Sequence, residues 1–143
     1  MKLKQVSVFL ENRTGRMADA ARLLGDHGIN IRALSIGDTP DYGILRLIVD
    51  DVVKAEKVFR DAGYTVALTD VIALEVPDEP GGLASVLTKL QRADIAIEYL
   101  YAFVEKNVDK AVVIFRFEDP EKVLRVIESL GLQAMAPEKL CHV

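Results

Sequence analysis

Apolar and polar positions change period in a fixed order along the first seventy residues. Val6, Val8 and Leu10 alternate with more polar neighbours, as a strand with one buried face does. Met17, Ala20, Ala21 and Leu24 then recur at helical spacing until Gly28 supplies a stop. Ile29 to Ile36 returns to strand character. Gly37-Asp38-Thr39-Pro40-Asp41-Tyr42-Gly43 is a dense turn cluster and Ile44 to Val49 is strand-like again, which predicts a hairpin. Val52, Ala55, Phe59 and Ala62 outline a second amphipathic helix that Gly63 ends, and Tyr64 to Leu68 is a fourth strand.

The same order then repeats. Thr14-Gly15-Arg16-Met17-Ala18, a helical pattern and Gly28-Ile29-Asn30-Ile31 return as Pro80-Gly81-Gly82-Leu83-Ala84, a helical pattern and Asp94-Ile95-Ala96-Ile97, at an offset of 66. Asp51-Val52-Val53-Lys54-Ala55 with Gly63-Tyr64 matches Asp119-Pro120-Glu121-Lys122-Val123 with Gly131-Leu132 at an offset of 68. Two extra residues therefore belong in the second hairpin, around Glu105 to Asp109, where an insertion costs least. The second copy reads as strands at Val71 to Val76, Ile95 to Val104, Lys110 to Phe117 and, shorter, Gln133 to Met135. Its helices are marked by Leu83, Val86, Leu87 and Leu90, and by Val123, Ile127 and Leu130.

Each unit is β-α-β-β-α-β, the split βαβ pattern, so the expected class is α+β: a ferredoxin-like unit present twice, each antiparallel sheet carrying its helices on one face. The expected units are residues 1–69 and 70–143. No Pro, Gly or Ser excess separates them at Thr69-Asp70, so one extended segment should lead from the first into the second. A unit of about 70 residues is marginal alone, which favours docking side by side. Several strands carry apolar residues on both faces: Leu34 and Ile36 in copy one, Leu100 and Val104 beside Tyr99, Tyr101 and Phe103 in copy two. An apolar helix-free face is usually covered, and a homodimer is the expected cover.

Composition narrows the function classes. Half of the 143 residues are apolar and 28% are charged, the balance of a globular domain rather than of a disordered chain. No apolar run approaches a membrane span, and Met1-Lys2-Leu3-Lys4-Gln5 lacks a signal-peptide core, so a cytoplasmic location is expected. Of the net charge of −4, residues 1–70 contribute nothing, balancing ten basic against ten acidic side chains; residues 71–143 hold eight against twelve. Such a chain offers a phosphate backbone no basic field, which argues against nucleic acid. Cys141 has no partner for a disulfide, and with His27 and His142 as the other soft ligands no metal site or other cofactor is expected.

Catalytic constellations are equally scarce. His27 closes the first helix, where a cation suits the dipole. Asp50-Asp51 and Glu118-Asp119 each precede a helix and read as caps rather than as an acid–base pair. Neither a P-loop nor a dinucleotide fingerprint occurs. The elements that invite a ligand are the two loops between first strand and first helix, Glu11-Asn12-Arg13-Thr14-Gly15-Arg16-Met17 and Pro77-Asp78-Glu79-Pro80-Gly81-Gly82-Leu83. In each, a glycine at the mouth of a helix leaves unpaired backbone N–H groups open to an anion such as a carboxylate. Loop one has two arginines against one glutamate, and loop two has Asp78 and Glu79 with no cation, so two sites of unequal strength are expected. Capping by Asn12, Thr14 or Asp78 would give the same residues a purely structural role.

Asp78-Glu79-Pro80-Gly81-Gly82-Leu83 resembles the D-x-P-G-x-L signature of the ACT domain, an amino-acid-binding βαββαβ module of regulated enzymes. Copy one departs from it, with Asn12 for the Asp and Thr14 for the Pro. Phe9-Leu10-Glu11-Asn12-Arg13-Thr14-Gly15-Arg16 and Asp41-Tyr42-Gly43-Ile44-Leu45-Arg46 are similar to stand-alone bacterial tandem ACT proteins, some of which carry acetolactate-synthase-like names. The resemblance implies an allosteric, non-catalytic module with an amino acid held between the first loop of one unit and the second strand of the other. One such site would comprise Asn12, Arg13, Thr14, Gly15, Arg16 and Met17 with Glu98, Tyr99, Leu100 and Tyr101. Its counterpart would comprise Asp78, Pro80, Gly81, Gly82 and Leu83 with Ile31, Ala33 and Leu34. A regulatory subunit whose main ligand is an amino-acid biosynthetic enzyme is the second reading, and an acylphosphatase-like enzyme the third.

Overall fold

The computed structural model describes residues 2–11, 13–38, 42–103 and 110–137. They fall into two compact units, residues 4–69 and residues 70–137 with 2–3. The elements run β1 (Leu3–Glu11), α1 (Arg16–Asp26), β2 (Ile31–Asp38), β3 (Tyr42–Val49), α2 (Val52–Asp61), β4 (Thr65–Pro77), α3 (Gly82–Arg92), β5 (Ile97–Phe103), β6 (Lys110–Phe117) and α4 (Pro120–Val126). β4 is one continuous strand of 13 residues, the extended segment expected at Thr69-Asp70. The two-residue insertion expected around Glu105 to Asp109 lies outside the described residues.

In the first unit the strands lie in the order β2-β3-β1, with β4 on the far side of β1. Val6 stands opposite Leu47 and Val8 opposite Leu45 in the antiparallel ladder. Residues directly opposite share a face, so these four, with Leu10 and Val49, make one apolar row. Ala20 and Leu24 of α1 and Ala55 and Phe59 of α2 close over it, and all of these residues are buried. Helix α1 ends at His27, whose Nδ1 donates to Leu23 O at 2.9 Å, a structural role.

The second unit repeats this with β4-β6-β5 and the pairs Ile72–Phe115 and Leu74–Val113. Val86 and Leu90 of α3 and Val123 of α4 cover the row, within which Phe115 and Phe117 stack at 5.2 Å. Its last strand shrinks to a single bridge, Leu74 to Ala134, fixed by Glu75 N to Gln133 O at 3.1 Å and Met135 N to Ala73 O at 2.9 Å. Both units are thus ferredoxin-like α+β folds with helices on one sheet face.

The opposite faces differ from expectation. Leu34 stands opposite Leu47 and Ile36 opposite Leu45, so both lie on the helix side and are 52% and 44% exposed only because β2 is the outermost strand. The helix-free rows include Ala33 and Ile48 in the first unit and Ala73, Val112 and Ile114 in the second, and they are already buried in the single chain. Phe9, opposite Ile44 on the same face, stays 40% exposed, so among the described residues the apolar surface left there is smaller than the alternation alone suggests. In β1 the row beneath the core is polar yet buried: Gln5 Nε2 donates to Ser7 Oγ at 2.9 Å, and Ser7 Oγ lies 3.1 Å from Thr69 Oγ1. Alternation alone assigns such a row to solvent; hydrogen bonding is what makes its burial tolerable.

Helices α2 and α4 begin on side-chain caps. Asp51 accepts from Lys54 N and Asp119 from Lys122 N, each at 3.1 Å, as expected of both acidic pairs. Asp51→Ala should lower stability by about 1 kcal/mol, whereas Phe59→Ala, which empties the centre of the first core, should cost about 3–5 kcal/mol. Urea unfolding followed by circular dichroism measures both, and equal midpoints for the two variants would contradict this account of the core.

Candidate ligand-binding site

Helices α1 and α3 begin differently. Gly15 and Gly81 stand at their N-caps with φ of 91° and 84°, in the left-handed region, and no side chain among the described residues caps either helix. The turns are closed by backbone alone: Arg16 N donates to Arg13 O and Asp19 N to Gly15 O, as Gly82 N does to Glu79 O and Ser85 N to Gly81 O. The next amides, of Met17 and Ala18 and of Leu83 and Ala84, belong to the first turn, which has no intrahelical acceptor. Thr14 and Asp78 do not supply one, and Asn12 lies outside the described residues.

Loop one borders a cavity of about 230 Å³. Arg13, Gly15, Arg16 and Met17 form one wall; Leu10 and Glu11 of β1, Ile36 of β2 and Gly43 of β3 form the rest. The first unit alone builds it. Arg13 Nε sits 2.8 Å from Glu11 Oε2, but both side chains are about two-thirds exposed, so the pair contributes little. Arg16 is held more firmly: its guanidinium lies 5.0 Å above the Tyr64 ring, and Tyr64 meets Phe59 edge-on at 5.3 Å. Through that stack loop one is tied to the core. Arg16 Nε is buried with no hydrogen-bond partner among the described residues, and leaving such a donor unsatisfied costs about 1–3 kcal/mol.

Loop two serves a tighter turn. Asp78, Glu79, Pro80 and Gly81 are exposed, whereas Gly82 is buried. A Cβ on Gly82 would stand 2.0 Å from Pro77 O, so close backbone approach accounts for this glycine without any ligand. Leu83 is 38% exposed.

The remaining expected site residues lie on the outermost strands. On β2, Ile31 is half-buried, Ala33 buried and Leu34 exposed; Ile36, two residues farther, is the β2 residue that borders the loop-one cavity. On β5, Glu98 and Leu100 are exposed, Tyr99 half-buried and Tyr101 buried, and Glu98 Oε2 pairs with Arg116 Nε at 3.3 Å. Glu11, named with loop one, borders the cavity as well, and sequence reasoning missed Leu10, Ile36 and Gly43. Leu10 adjoins the loop and was within reach; Ile36 and Gly43 depend on hairpin register, which periodicity does not reveal.

Two βαββαβ units, each passing from first strand to first helix through a left-handed glycine, define a tandem ferredoxin-like module. The ACT domain pair family matches residues 1–143, and the chain belongs to that family. It is 29% identical over 144 residues to the acetolactate synthase small subunit of Aquifex aeolicus (strain VF5), across 92% of this chain and 75% of the relative. Among solved structures, protein BT0572 from Bacteroides thetaiotaomicron superposes with a TM-score of 0.93 at 36% identity, covering 100% of this chain and 98% of that one. The ligand-free regulatory subunit of aspartate kinase from Thermus thermophilus shares the fold, with a TM-score of 0.63 at 17% identity over 89% and 91% of the two chains. No helix among the described residues is long and apolar enough to cross a membrane.

The two glycine positions should respond differently to alanine. Gly15→Ala meets no atom within 4 Å and strains only a positive φ, which costs about 1–2 kcal/mol. Gly82→Ala drives a methyl into backbone, where overpacking costs about 1–3 kcal/mol and occasionally more. Thermal unfolding should rank Gly82→Ala as the more damaging, and the reverse order would contradict the close-approach reading.

Proposed function

We propose that this chain is an allosteric regulatory module that senses a free amino acid with an aliphatic side chain, without catalytic chemistry of its own. The carrying observation is the buried Arg16 Nε, without a hydrogen-bond partner among the described residues, beside a helix whose first turn no described side chain caps. An α-carboxylate supplies the acceptor that both lack. Glu11 stands in the same cavity to meet an α-ammonium, and Leu10, Met17 and Ile36 offer an apolar lining for the side chain. Loop two, with Asp78 and Glu79 and no cation, would hold a carboxylate less well, so the two loops are unequal. Membership of a family of paired ACT domains supports the regulatory role, and a relative named acetolactate synthase small subunit supports an amino-acid biosynthetic enzyme as the cytoplasmic protein partner. Leu34 and Ile36, exposed on the outermost strand β2, would then be the surface on which a second copy forms the homodimer.

A thermal-shift panel of the twenty amino acids tests the ligand. Leucine, isoleucine or valine should stabilise the protein, by about 2.7 kcal/mol at a concentration one hundred times the dissociation constant. Arg16→Ala should remove most of that gain and Glu79→Ala little of it. Stabilisation by no amino acid, or equal losses in the two variants, would overturn the reading. Light scattering checks the homodimer: the wild type should have twice the mass of the Leu34→Glu, Ile36→Glu double variant.

A further inference from the structure

The second unit contains a cavity that the first unit lacks the residues to form. It has a volume of about 160 Å³ and lies between α3, the ends of β4 and β6, and the segment after α4. Its walls bring together Ser85 and Lys89, one turn apart on α3, with Lys110 of β6, Glu75 of β4 and Gln133; Leu132 and Val86 are its apolar part. Lys110 Nζ is 3.2 Å from Glu75 Oε2. Lys89 Nζ has no acceptor among the described residues and lies beside Gly131.

The internal repeat acts as a control. At the offset of 66, Gly82 stands where the first unit has Arg16, and at the offset of 68, Leu132 stands where it has Tyr64. The stacked Arg16–Tyr64 pair that ties loop one to its core therefore has no counterpart in the second unit. At the same offset of 66, Ser85, Lys89 and Glu75 replace Asp19, Leu23 and Phe9. Two cations thus converge on one cavity in the half of the chain that is otherwise acidic. With Glu75 neutralised by Lys110, one ammonium is left over and a hydroxyl and an amide stand beside it.

We propose that this cavity is a second ligand site, separate from loop one, that takes a small oxyanion, a carboxylate or a phosphate, on Lys89 with Lys110 and Ser85 in support. Its charge, donors and size match a compact group with one or two charged oxygens. The proposal does not depend on the amino-acid reading of loop one, because none of its residues belongs to that cavity.

The test is an amide-resolved NMR titration of the full chain with sodium phosphate and, separately, with sodium acetate, each against sodium chloride at matched ionic strength. At least one oxyanion should produce saturable shifts at Ser85, Lys89 and Gly131 while Gly15 and Met17 stay in place, and the one that saturates identifies the source. Lys89→Gln should weaken binding by about tenfold or more, the loss of one charge-assisted contact. Glu75→Gln, which frees the Lys110 ammonium, should strengthen it. Unchanged core resonances show that each variant is folded. Absence of saturable shifts with both anions, or equal affinity in the wild type and Lys89→Gln, would overturn the proposal.

Discussion

The architecture of each unit depends on one backbone turn that only glycine makes cheaply. After β1, and again at the end of β4, the chain must reverse within a few residues so that a helix can lie back over the strand it has just left. Gly15 and Gly81 do this at φ near 90°, where a Cβ would collide with the following carbonyl. With that conformation no side chain among the described residues caps the helix, unlike Asp51 and Asp119 at α2 and α4. An open helix mouth is therefore a by-product of the turn that the fold requires, and a ligand site there needs few residues beyond those that build the core.

What the two copies do around that turn has diverged. In the first, Arg16 crosses to Tyr64 and Tyr64 to Phe59, so loop one is anchored by an aromatic stack whose buried Arg16 Nε finds no partner among the described residues. In the second, Gly82 lets the loop fold against Pro77 O, and an arginine in that position would have no room for even its first carbon. One substitution at equivalent positions thus separates a loop whose second arginine stacks on Tyr64 from a loop packed against its own backbone. Conformation has been retained more strictly than chemistry: Asp94, at φ 57°, takes the left-handed position that Gly28 occupies at 72° in the first unit.

Burial on the helix-free side is organised by hydrogen bonding as well as by apolar contact. Gln5 and Ser7 lie in the strand whose other face carries Val6, Val8 and Leu10, and neither polar residue would be tolerated there without a partner. Leu34 and Ile36 show the converse. They lie on the helix side of the sheet and remain exposed because their strand is outermost, although Ile36 borders the loop-one cavity beside the start of α1.

Period, helix stops and the repeated loop by themselves determined the element order, the duplication, the continuous strand across Thr69-Asp70, the Asp51 and Asp119 caps and the ACT resemblance, because each is written in local spacing. The loop-one wall of the cavity, Arg13 to Met17, was legible for the same reason. Only tertiary structure decided that Ile36 and Gly43 complete it, since strand register depends on pairing partners far apart in sequence. Only tertiary structure showed that the polar row of β1 is buried and that Gly82 is held by a carbonyl five residues earlier. Exposure and close approach are properties of neighbours, and a chain read one residue at a time does not contain its neighbours in space.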